Sequence, residues 1–487
     1  MRQIKIDPIT RLEGHGKIDI FLNDDGEVAN TYFQIPELRG FEQFCVGRPV
    51  EELPRITTRI CGVCPEAHHM ASAKACDAVF HVDPPPTAKK LRQLLYNVFF
   101  AGDHTLHFYA LGGPDFIVGP TAPASERNIL GVVKKVGLEV GGKVIEMRKR
   151  TQEVLKTLGG KQTHQVTSLP GGVSKGITSE EAKHIEEHCL WFVEFGKFTL
   201  QAFNDIVLKN QQYVDLILSD AFSHKTYYMG LVDEKNRVNF YDGKVRVVDP
   251  DGKEFVKYSP SEYLENIAEE VEPWTYLKFP FLKKVGWKGL VDGKDSGVYR
   301  ATPLSRLNAS DGMPTPLAQA EYEKMYSTLG GKPVHATLAT HWARVIELLS
   351  AAEMALDLVR DPEITGTNIR AIPTEIPTEG VGIEEAPRGT LTHHYTTDAK
   401  GMVTKVNLIV GTTNNYAPIS MSINKAARGL IKKGQEVTEG TLNMIEMAFR
   451  AYDPCFGCAT HALPGRRPFI LRIRDKDGEI LKEINRC

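Results

Sequence analysis

The sequence predicts a mainly α-helical protein of the α+β class, with a large helical-bundle core and peripheral β-hairpins. Two patterns carry this prediction. Long segments place apolar residues three and four positions apart, and shorter segments alternate apolar and polar residues around turn sequences. Of the 487 residues, 42% are hydrophobic, which is enough to bury a sizeable core. We therefore expect a single domain over residues 1–487.

Helical periodicity recurs along most of the chain. It covers residues 62–80, 88–111, 125–157, 179–219, 336–360 and 436–451. The sequence Thr178-Ser179-Glu180-Glu181 has the composition of a helix start, with a hydroxyl cap followed by carboxylates. By contrast, residues 273–335 are rich in Gly, Pro and Lys and are predicted to be loop-like.

Strand-like alternation is confined to shorter segments. Residues 16–35 alternate around Asn23-Asp24-Asp25-Gly26, which is typical of a β-hairpin. Residues 237–257 contain two Asp-Gly turns and are predicted to be a β insertion on the helical body. Residues 388–410 also have β character. Alternation returns at Phe469, within a C-terminal extension that we assign to residues 462–487.

Charge and composition exclude several classes of function. The formal net charge is −2 and the isoelectric point is near 6.7, so the chain has no electrostatic footprint for nucleic acid. The sequence has no run of roughly 18 or more apolar residues, which predicts no direct membrane span. Its first residues lack the apolar core of a secretory signal. We expect a cytoplasmic location.

Four of the eight cysteines form two Cys-x-x-Cys pairs, Cys61/Cys64 near one end of the chain and Cys455/Cys458 near the other. Soft thiolate ligands select zinc, nickel, copper(I) or iron. On ligand type alone, a structural four-cysteine zinc site is an open alternative. Zinc ribbons, however, separate their pairs by only about 15–20 residues. A site formed by these distant pairs joins the two ends of the fold and is expected to be buried.

The residues around the cysteine pairs carry a more specific pattern. It comprises Arg11-Leu12-Glu13-Gly14-His15, Arg39-Gly40-Phe41-Glu42, Arg59-Ile60-Cys61-Gly62-Val63-Cys64 ending at His68, Asp103-His104, Pro170-Gly171-Gly172, Ala386-Pro387-Arg388-Gly389, Leu408-Ile409-Val410-Gly411-Thr412, and Asp453-Pro454-Cys455-Phe456-Gly457-Cys458 ending at His461. This ordered set resembles the large subunit of nickel–iron hydrogenases, and within them the cytoplasmic multimeric type. The resemblance implies that family's fold and a reversible, heterolytic cleavage of dihydrogen to protons and electrons.

The resemblance also implies a nickel ion held by Cys61, Cys64, Cys455 and Cys458. An iron atom carrying one carbon monoxide and two cyanides would be bridged to it through Cys64 and Cys458. Glu13 is the implied proton relay, because the family's glutamate faces the cysteine that corresponds to Cys455. On residue type alone, Glu13 would be an ordinary surface or salt-bridged glutamate.

Arg388 is implied to lie over the open metal position, with Asp103 and Asp453 as its partners and Pro387 restricting its backbone. Without the motif, it would be a loop arginine in a weak surface ion pair. Thr412 is implied to donate a hydrogen bond to one cyanide.

Other matches concern the surroundings of the centre. The family often has proline before the cyanide-binding threonine, whereas this chain has Gly411. His68 is implied to donate a hydrogen bond to a cysteine sulfur beside the cofactor. A second ion, magnesium or iron, would be bound beyond the active site by Glu42, His461 and the carbonyl of Leu408.

The resemblance implies several partners. Family members commonly carry an extension that a maturation protease removes after nickel-insertion proteins have acted, so residues 462–487 are a candidate maturation tail. A chain that keeps this tail is expected to lack a complete centre. The remaining cysteines lack the spacing of an iron–sulfur motif: Cys45, Cys76, Cys189 and Cys487. Electron transfer therefore implies an iron–sulfur small subunit, with further flavin or iron–sulfur subunits. A regulatory hydrogen sensor and a zinc-stabilised scaffold are the alternatives.

Overall fold

Long helices form the centre of the protein, which confirms the predicted fold class. In this computed structural model, residues 2–461, 469–474 and 479–486 are described. The helices are α1 (Phe41–Cys45), α2 (Leu53–Ile56), α3 (Pro65–Val79), α4 (Pro86–Leu106), α5 (Gly113–Ile117), α6 (Ile129–Gly159), α7 (Ser179–Phe203), α8 (Gln211–Leu218), α9 (Tyr263–Asn266), α10 (Pro303–Ala309), α11 (Pro316–Thr328), α12 (Thr340–Arg360), α13 (Gly411–Asn414), α14 (Tyr416–Leu430), α15 (Glu439–Arg450) and α16 (Phe456–Ala459). Helix α12 packs between α4 and α7 at the centre of the bundle.

Short strands form small sheets around this bundle. They are β1 (Arg2–Ile6), β2 (Lys17–Leu22), β3 (Val28–Gln34), β4 (Ser168–Leu169), β5 (Gly172–Val173), β6 (Tyr227–Val232), β7 (Lys244–Val248), β8 (Glu254–Tyr258), β9 (Ile267–Glu270), β10 (Phe279–Leu282), β11 (Tyr299–Arg300), β12 (Glu379–Ala386), β13 (Gly389–Thr397), β14 (Val403–Ile409), β15 (Phe469–Arg474) and β16 (Ile480–Arg486). Their sheet orders are β1-β2-β3, β4-β5, β10-β9, β11-β6-β7-β8, β12-β13-β14 and β15-β16.

The predicted β segments are present, with more partners than the sequence indicated. The hairpin expected at residues 16–35 is β2–β3, and β1 adds a third antiparallel strand to it. The strands expected within 237–257 are β7 and β8, which join β6 and β11 in one four-stranded sheet. The alternating C-terminal segment forms the antiparallel pair β15–β16. Residues 462–468, 475–478 and 487 of the predicted C-terminal extension lie outside the described residues.

The prediction of a loop over residues 273–335 is wrong, because the segment contains β10, β11, α10 and α11. Both helices begin at a Thr-Pro pair. The side chain of Thr302 accepts a hydrogen bond from the amide of Ser305, and Pro303 and Pro316 occupy first helical positions. Proline favours such positions, so the prolines that suggested a loop are helix starts.

Two predicted helices also differ from the structure in their continuity. The helix expected over 179–219 is interrupted, because Asn210 caps the separate helix α8 by accepting a hydrogen bond from the amide of Gln212 at 3.1 Å. Helix α6 contains Gly137 at φ 87° and ψ 163°, which breaks its regular turn. Among the described helices, none is both long enough and apolar enough to cross a membrane.

Helix α3 presents the first cysteine pair and packs closely on β12. Cys64 caps the helix and Pro65 is its first residue. A Cβ atom on Gly382 would overlap the carbonyl oxygen of Ala71 and lie 2.5 Å from the amide nitrogen of Ala75. The strand can therefore approach α3 only because it has no side chain at this position.

A buried arginine connects α10, α12 and the end of β12. The guanidinium of Arg306 donates to both carboxylate oxygens of Glu347 at 2.7 Å and to Glu385 at 3.0 Å. It also donates to the carbonyl oxygens of Ala386 at 3.0 Å and Pro387 at 3.1 Å. All five guanidinium protons thus have acceptors, and the backbone that leads into residue 388 is fixed.

We predict that Gly382→Ala destabilises the protein. The added methyl group must push β12 away from α3, and overpacking of this kind costs about 1–3 kcal/mol. Thermal unfolding should show a lower midpoint than that of the wild type. The matched control is Gly142→Ala, at a helical position with nothing within 4 Å of the added atom. There the midpoint should stay the same or rise, since alanine favours a helix by up to about 1 kcal/mol. Equal midpoints for the two variants would contradict the packing argument.

Candidate metal centre

The two cysteine pairs converge on one point inside the protein. The Sγ atoms of Cys61 and Cys455 lie 3.5 Å apart, those of Cys64 and Cys458 lie 3.3 Å apart, and those of Cys455 and Cys458 lie 2.9 Å apart. All four lie within 4.8 Å of one another, and all four residues are buried. The predicted burial of this site is therefore confirmed.

Local backbone geometry turns both pairs toward the same point. The amides of Val63 and Cys64 donate to Cys61 Sγ at 3.2 and 3.3 Å. Cys455 occupies the N-cap position of the short helix α16, as Cys64 does for α3, although neither side chain makes a capping hydrogen bond. Arg39 spans the two motifs, since its guanidinium donates to the carbonyl oxygens of Ile60 and, at 3.0 Å, of Gly457.

The protonation of the four thiols favours a bound cation. The hydrogen bond from Cys455 lowers the pKa of the Cys61 thiol. Burial raises the pKa of the Cys455 and Cys458 thiols well above the ordinary value. One thiolate is therefore stable here, but a buried group of thiolates requires positive charge beside it. The donor set fits a soft metal ion.

Glu13 lies against the terminal cysteine of the second pair. Cys455 Sγ lies 3.0 Å from Glu13 Oε2, which also accepts from the amide of Gly457 at 2.9 Å. A Cβ on Gly457 would lie 2.6 Å from Glu13 Oε1, so the glycine makes room for the carboxylate. An open pocket lined by Glu13, Glu37, Leu38, Arg39 and Gly457 connects this position with the surface.

Arg388 lies between two buried aspartates, as the sequence resemblance implied. Its Nη1 lies 3.2 Å from Asp103 Oδ2 and its Nη2 lies 3.2 Å from Asp453 Oδ2. Its carbonyl oxygen accepts from the side chain of Asn415 at 2.8 Å. Burial raises the pKa of Asp453 to about 7, and the neighbouring Arg388 opposes this shift. The arrangement holds the guanidinium in one orientation beside the sulfur atoms.

A small cavity separates Arg388 from the cysteines. It is lined by Cys64, Ala67, His68, Ala386, Arg388, Leu391, Val410, Gly411, Thr412, Cys455 and Cys458. The hydroxyl oxygen of Thr412 accepts from the amide of Cys455 at 3.0 Å, and no acceptor for its proton is found among the described residues, so the hydroxyl can donate to another group. A Cβ on Gly411 would lie 2.9 Å from the carbonyl oxygen of Gly389. The glycine that departs from the family pattern thus permits close packing beside Arg388.

His68 lines this cavity, but among the described residues it makes no hydrogen bond to a cysteine sulfur, contrary to the implied contact. Within the described part of the chain, its side chain pairs with His393, and Nδ1 of His68 lies 3.1 Å from Nε2 of His393. Burial lowers the pKa of His68 to about 4. The ring is therefore neutral at physiological pH.

Glu42, Leu408 and His461 form a second polar group beyond the cysteines. The amide of Leu408 donates to Glu42 Oε1 at 2.9 Å, and the amide of Glu42 donates to the carbonyl oxygen of His461 at 3.4 Å. His461 is 2% exposed, and both its ring nitrogens lack a partner among the described residues. Burial lowers its pKa well below the ordinary value. A neutral, buried imidazole without partners fits a metal ligand.

Several residues that hold the site in position belong to no recognisable sequence motif. Arg306 and Glu347 fix the backbone before Arg388, and His393 and Tyr395 lie behind His68. Periodicity placed Glu347, His393 and Tyr395 in regular elements, whereas Arg306 fell in the segment predicted to be a loop, and for none of them did it indicate a role. The one sequence signal for such residues is a charged or imidazole side chain at a position where the helix or strand pattern predicts an apolar residue.

Comparison with known proteins supports the resemblance. A family model described as nickel-dependent hydrogenase matches residues 39–128 and 231–461, and one described as HoxL-like matches residues 3–38. An iron-sulfur subunit of the F420-non-reducing hydrogenase of Archaeoglobus profundus is 49% identical over 484 residues, which cover 99% of this chain and 99% of that protein. The beta subunit of NAD-reducing hydrogenase HoxS from Cupriavidus necator is 36% identical, again over 99% of both chains.

The fold agrees with these sequence matches. The crystal structure of an NAD+-reducing NiFe hydrogenase in the H2-reduced state superposes with a TM-score of 0.89 at 36% identity, covering 95% of this chain and 100% of that chain. This family implies a nickel–iron centre, and the four-cysteine cluster can hold a metal ion. The chain belongs to the nickel-dependent hydrogenases, as a large, catalytic subunit that acts on dihydrogen.

Proposed function

We propose that the chain cleaves and forms dihydrogen reversibly at a nickel–iron centre held by Cys61, Cys64, Cys455 and Cys458. The observation that carries this proposal is the convergence of the four buried sulfur atoms within 4.8 Å. A nickel–iron centre bound here would supply Lewis-acid polarisation of dihydrogen and a place for its electrons. The thiolates would hold the metals, and the surrounding side chains would bind and transfer the protons.

Cys64 and Cys458 would also hold an iron that carries one carbon monoxide and two cyanides, and the cavity beside them supports this role. Cyanide accepts hydrogen bonds and carbon monoxide accepts them poorly, so the pocket needs few donors. Thr412 has a hydroxyl proton to donate, and Nε of Arg388 has no partner among the described residues. The rest of the lining is mainly apolar.

Glu13 is proposed to relay protons. Its Oε2 lies 3.0 Å from Cys455 Sγ, which is within hydrogen-bond reach of a proton held on that sulfur. The open pocket beside Glu13 offers the proton an exit toward Glu37 and Arg39. The amide of Gly457 holds the carboxylate in place.

Arg388 is proposed to orient the reacting species over the open side of the centre. Asp103 and Asp453 each contact one of its terminal nitrogens, so the guanidinium is positioned before substrate arrives. Pro387 contributes by fixing the preceding backbone, since its carbonyl oxygen accepts from Arg306 at 3.1 Å.

A second ion, magnesium or iron, is proposed at Glu42, His461 and the carbonyl of Leu408. The two unpartnered ring nitrogens of His461 support this site. Glu42 follows Phe41, whose ring meets the His461 ring edge-on at 5.3 Å between centroids. Oxygen and water ligands favour magnesium, and the imidazole favours iron.

The electrons are proposed to leave through an iron–sulfur small subunit. Among the described residues, the four-cysteine cluster is the one group of three or more cysteine, histidine or acidic side chains suited to hold a metal, and Cys45, Cys76 and Cys189 are buried separately from it. The names of the relatives describe subunits of F420-non-reducing and NAD-reducing hydrogenases. Further electron-transfer subunits and a cytoplasmic location belong to the same proposal.

We predict that Cys61→Ala removes the nickel. A site with three thiolates has less negative charge to balance the metal ion and one ligand too few to surround it. Nickel per chain should therefore fall at least about tenfold, which is the effect on metal affinity of replacing even a residue that only contacts a ligand. Cys189→Ala is the matched control, because Cys189 is equally buried but lies in α7. Elemental analysis of both purified variants makes the comparison. Nickel retained in Cys61→Ala, or zinc in its place in the wild type, would favour the scaffold alternative.

We predict that Glu13→Gln lowers dihydrogen turnover by roughly 10²–10⁴-fold, the usual contribution of a positioned acid–base group. Glutamine keeps the acceptor for Gly457 but cannot relay a proton, so nickel content should not change. Glu27→Gln, at an exposed position outside this pocket, should retain turnover close to that of the wild type. A Glu13→Gln enzyme with wild-type turnover would exclude the relay. Slow turnover in the wild type itself would favour a hydrogen sensor.

Residues 462–487 are proposed as a tail that the maturation protease removes after nickel-insertion proteins have loaded the site. The carbonyl oxygen of Thr460 accepts from the amide of Arg39 at 2.9 Å, so the chain is anchored just before the tail. We predict that tail-bearing chains lack a complete centre. Tail-bearing and processed forms can be separated, weighed by mass spectrometry and analysed for nickel. Full nickel in the tail-bearing form would overturn this proposal.

A further inference from the structure

Two histidines lie side by side on helix α7, one turn apart. The Nε2 atoms of His184 and His188 are separated by 3.1 Å. Both residues lie within the helix that runs from Ser179 to Phe203, so their side chains leave it on the same face. The sequence from His184 to His188 has the pattern His-x-x-Glu-His, in which the helix of some zinc enzymes carries two zinc ligands.

The relative orientation of the two rings fits an ion that both share. Their planes are inclined by 76°, and their centroids lie 4.5 Å apart. A straight hydrogen bond between the two Nε2 atoms would place the rings end to end, with their centroids farther apart. Two imidazole nitrogens that bind one zinc ion, each at about 2.0–2.1 Å, lie about 3–3.4 Å from each other. The separation of the Nε2 atoms falls within this range.

The pair is open to solvent on one side and buried on the other. The side chain of His184 is 63% exposed, whereas that of His188 is 6% exposed. Burial lowers the pKa of His188, which favours the neutral imidazole that a metal ion binds. An ion can therefore reach the pair past His184 and find a second ligand that is already held in place.

Two carboxylates lie beside the pair. Glu153 of helix α6 has its Oε2 3.7 Å from Nε2 of His188, and Glu187 has its Oε2 3.9 Å from Nδ1 of His184. In this conformation Glu153 and the two histidines do not form a closed three-ligand group. The half-exposed side chain of Glu153 can rotate to bring an oxygen to an ion. Glu187 is placed to orient the ring of His184, as carboxylates do for histidines that bind metals.

Two cations also face the pair. Nη1 of Arg150 lies 3.3 Å from Nδ1 of His188, and Nζ of Lys149 lies 4.0 Å from Oε1 of Glu153. Glu146 accepts from Nε of Arg150 at 2.7 Å, which offsets part of the arginine charge. The remaining positive charge opposes a metal ion, so its removal should tighten binding.

We propose that His184 and His188 bind a divalent transition-metal ion, with Glu153 as a third ligand and water in the open positions. Imidazole suits zinc and nickel among the divalent ions. The ion would join α6 to α7 at a surface site separate from the four-cysteine cluster. The inference does not rest on the proposed function, because it uses none of the residues of the buried centre.

Zinc binding by the processed complex tests the proposal. Loosely held ions are removed with EDTA, and zinc chloride is then added in equilibrium dialysis. We expect one exchangeable zinc per chain that His184→Ala binds at least about tenfold more weakly, since even residues that only contact a ligand change metal affinity about 10–100-fold. The exposed position of His184 lets this variant fold. The matched control is His81→Ala, at an exposed histidine whose Nε2 lies 2.8 Å from Oγ1 of Thr378; it should bind zinc as the wild type does.

Two further variants test the charged neighbours. Glu153→Gln should weaken zinc binding because it removes an anionic ligand, and Arg150→Gln should strengthen it because it removes a positive charge beside His188. Nickel in the four-cysteine site should be the same in every variant. The absence of an exchangeable zinc in the wild type, or equal zinc affinity in the wild type and in His184→Ala, would overturn the proposal. Equal affinity in Glu153→Gln would exclude Glu153 as a ligand.

Discussion

The two ends of the sequence must meet for this protein to have a site. Cys61 and Cys64 precede the bundle and Cys455 and Cys458 follow it, yet their sulfur atoms lie within 4.8 Å of one another. Backbone hydrogen bonds join the two ends. The amide of Glu13 donates to the carbonyl oxygen of Pro454 at 3.3 Å, and the carbonyl oxygen of Glu13 accepts from the amide of Phe456 at 3.0 Å. Four buried thiolates repel one another without a cation, so closure of the fold and metal binding are thermodynamically linked.

A second set of buried, charged side chains lies beside the four cysteines. Arg306 uses all its donors on Glu347, Glu385 and the backbone before Arg388. Arg388 in turn is held by Asp103 and Asp453. Each of these charges is paired, which is the condition under which buried ions are tolerated. The result is a guanidinium whose orientation is set by the protein before any ligand binds.

The sequence predicted those parts of the structure that depend on local chemistry. The cysteine spacing predicted a buried joint between the chain ends, and periodicity predicted the long helices. The sequence-based prediction failed where the surrounding structure decides the conformation. Pro303 and Pro316 are the first residues of helices in a segment predicted to be a loop, because proline is favoured both in loops and at helix starts. The contact between His68 in helix α3 and His393 in strand β13 joins two elements far apart in the sequence, and no local pattern encodes that approach.

The central claim is that the four cysteines hold nickel together with iron, and elemental analysis combined with infrared spectroscopy tests it most directly. The sample is the processed chain purified anaerobically with its partner proteins. The account predicts about one nickel per chain, iron in excess of nickel because the iron–sulfur partners contribute more, and absorption bands from iron-bound carbon monoxide and cyanide. Zinc in the four-cysteine site, with no such bands from a processed and correctly assembled complex, would contradict it.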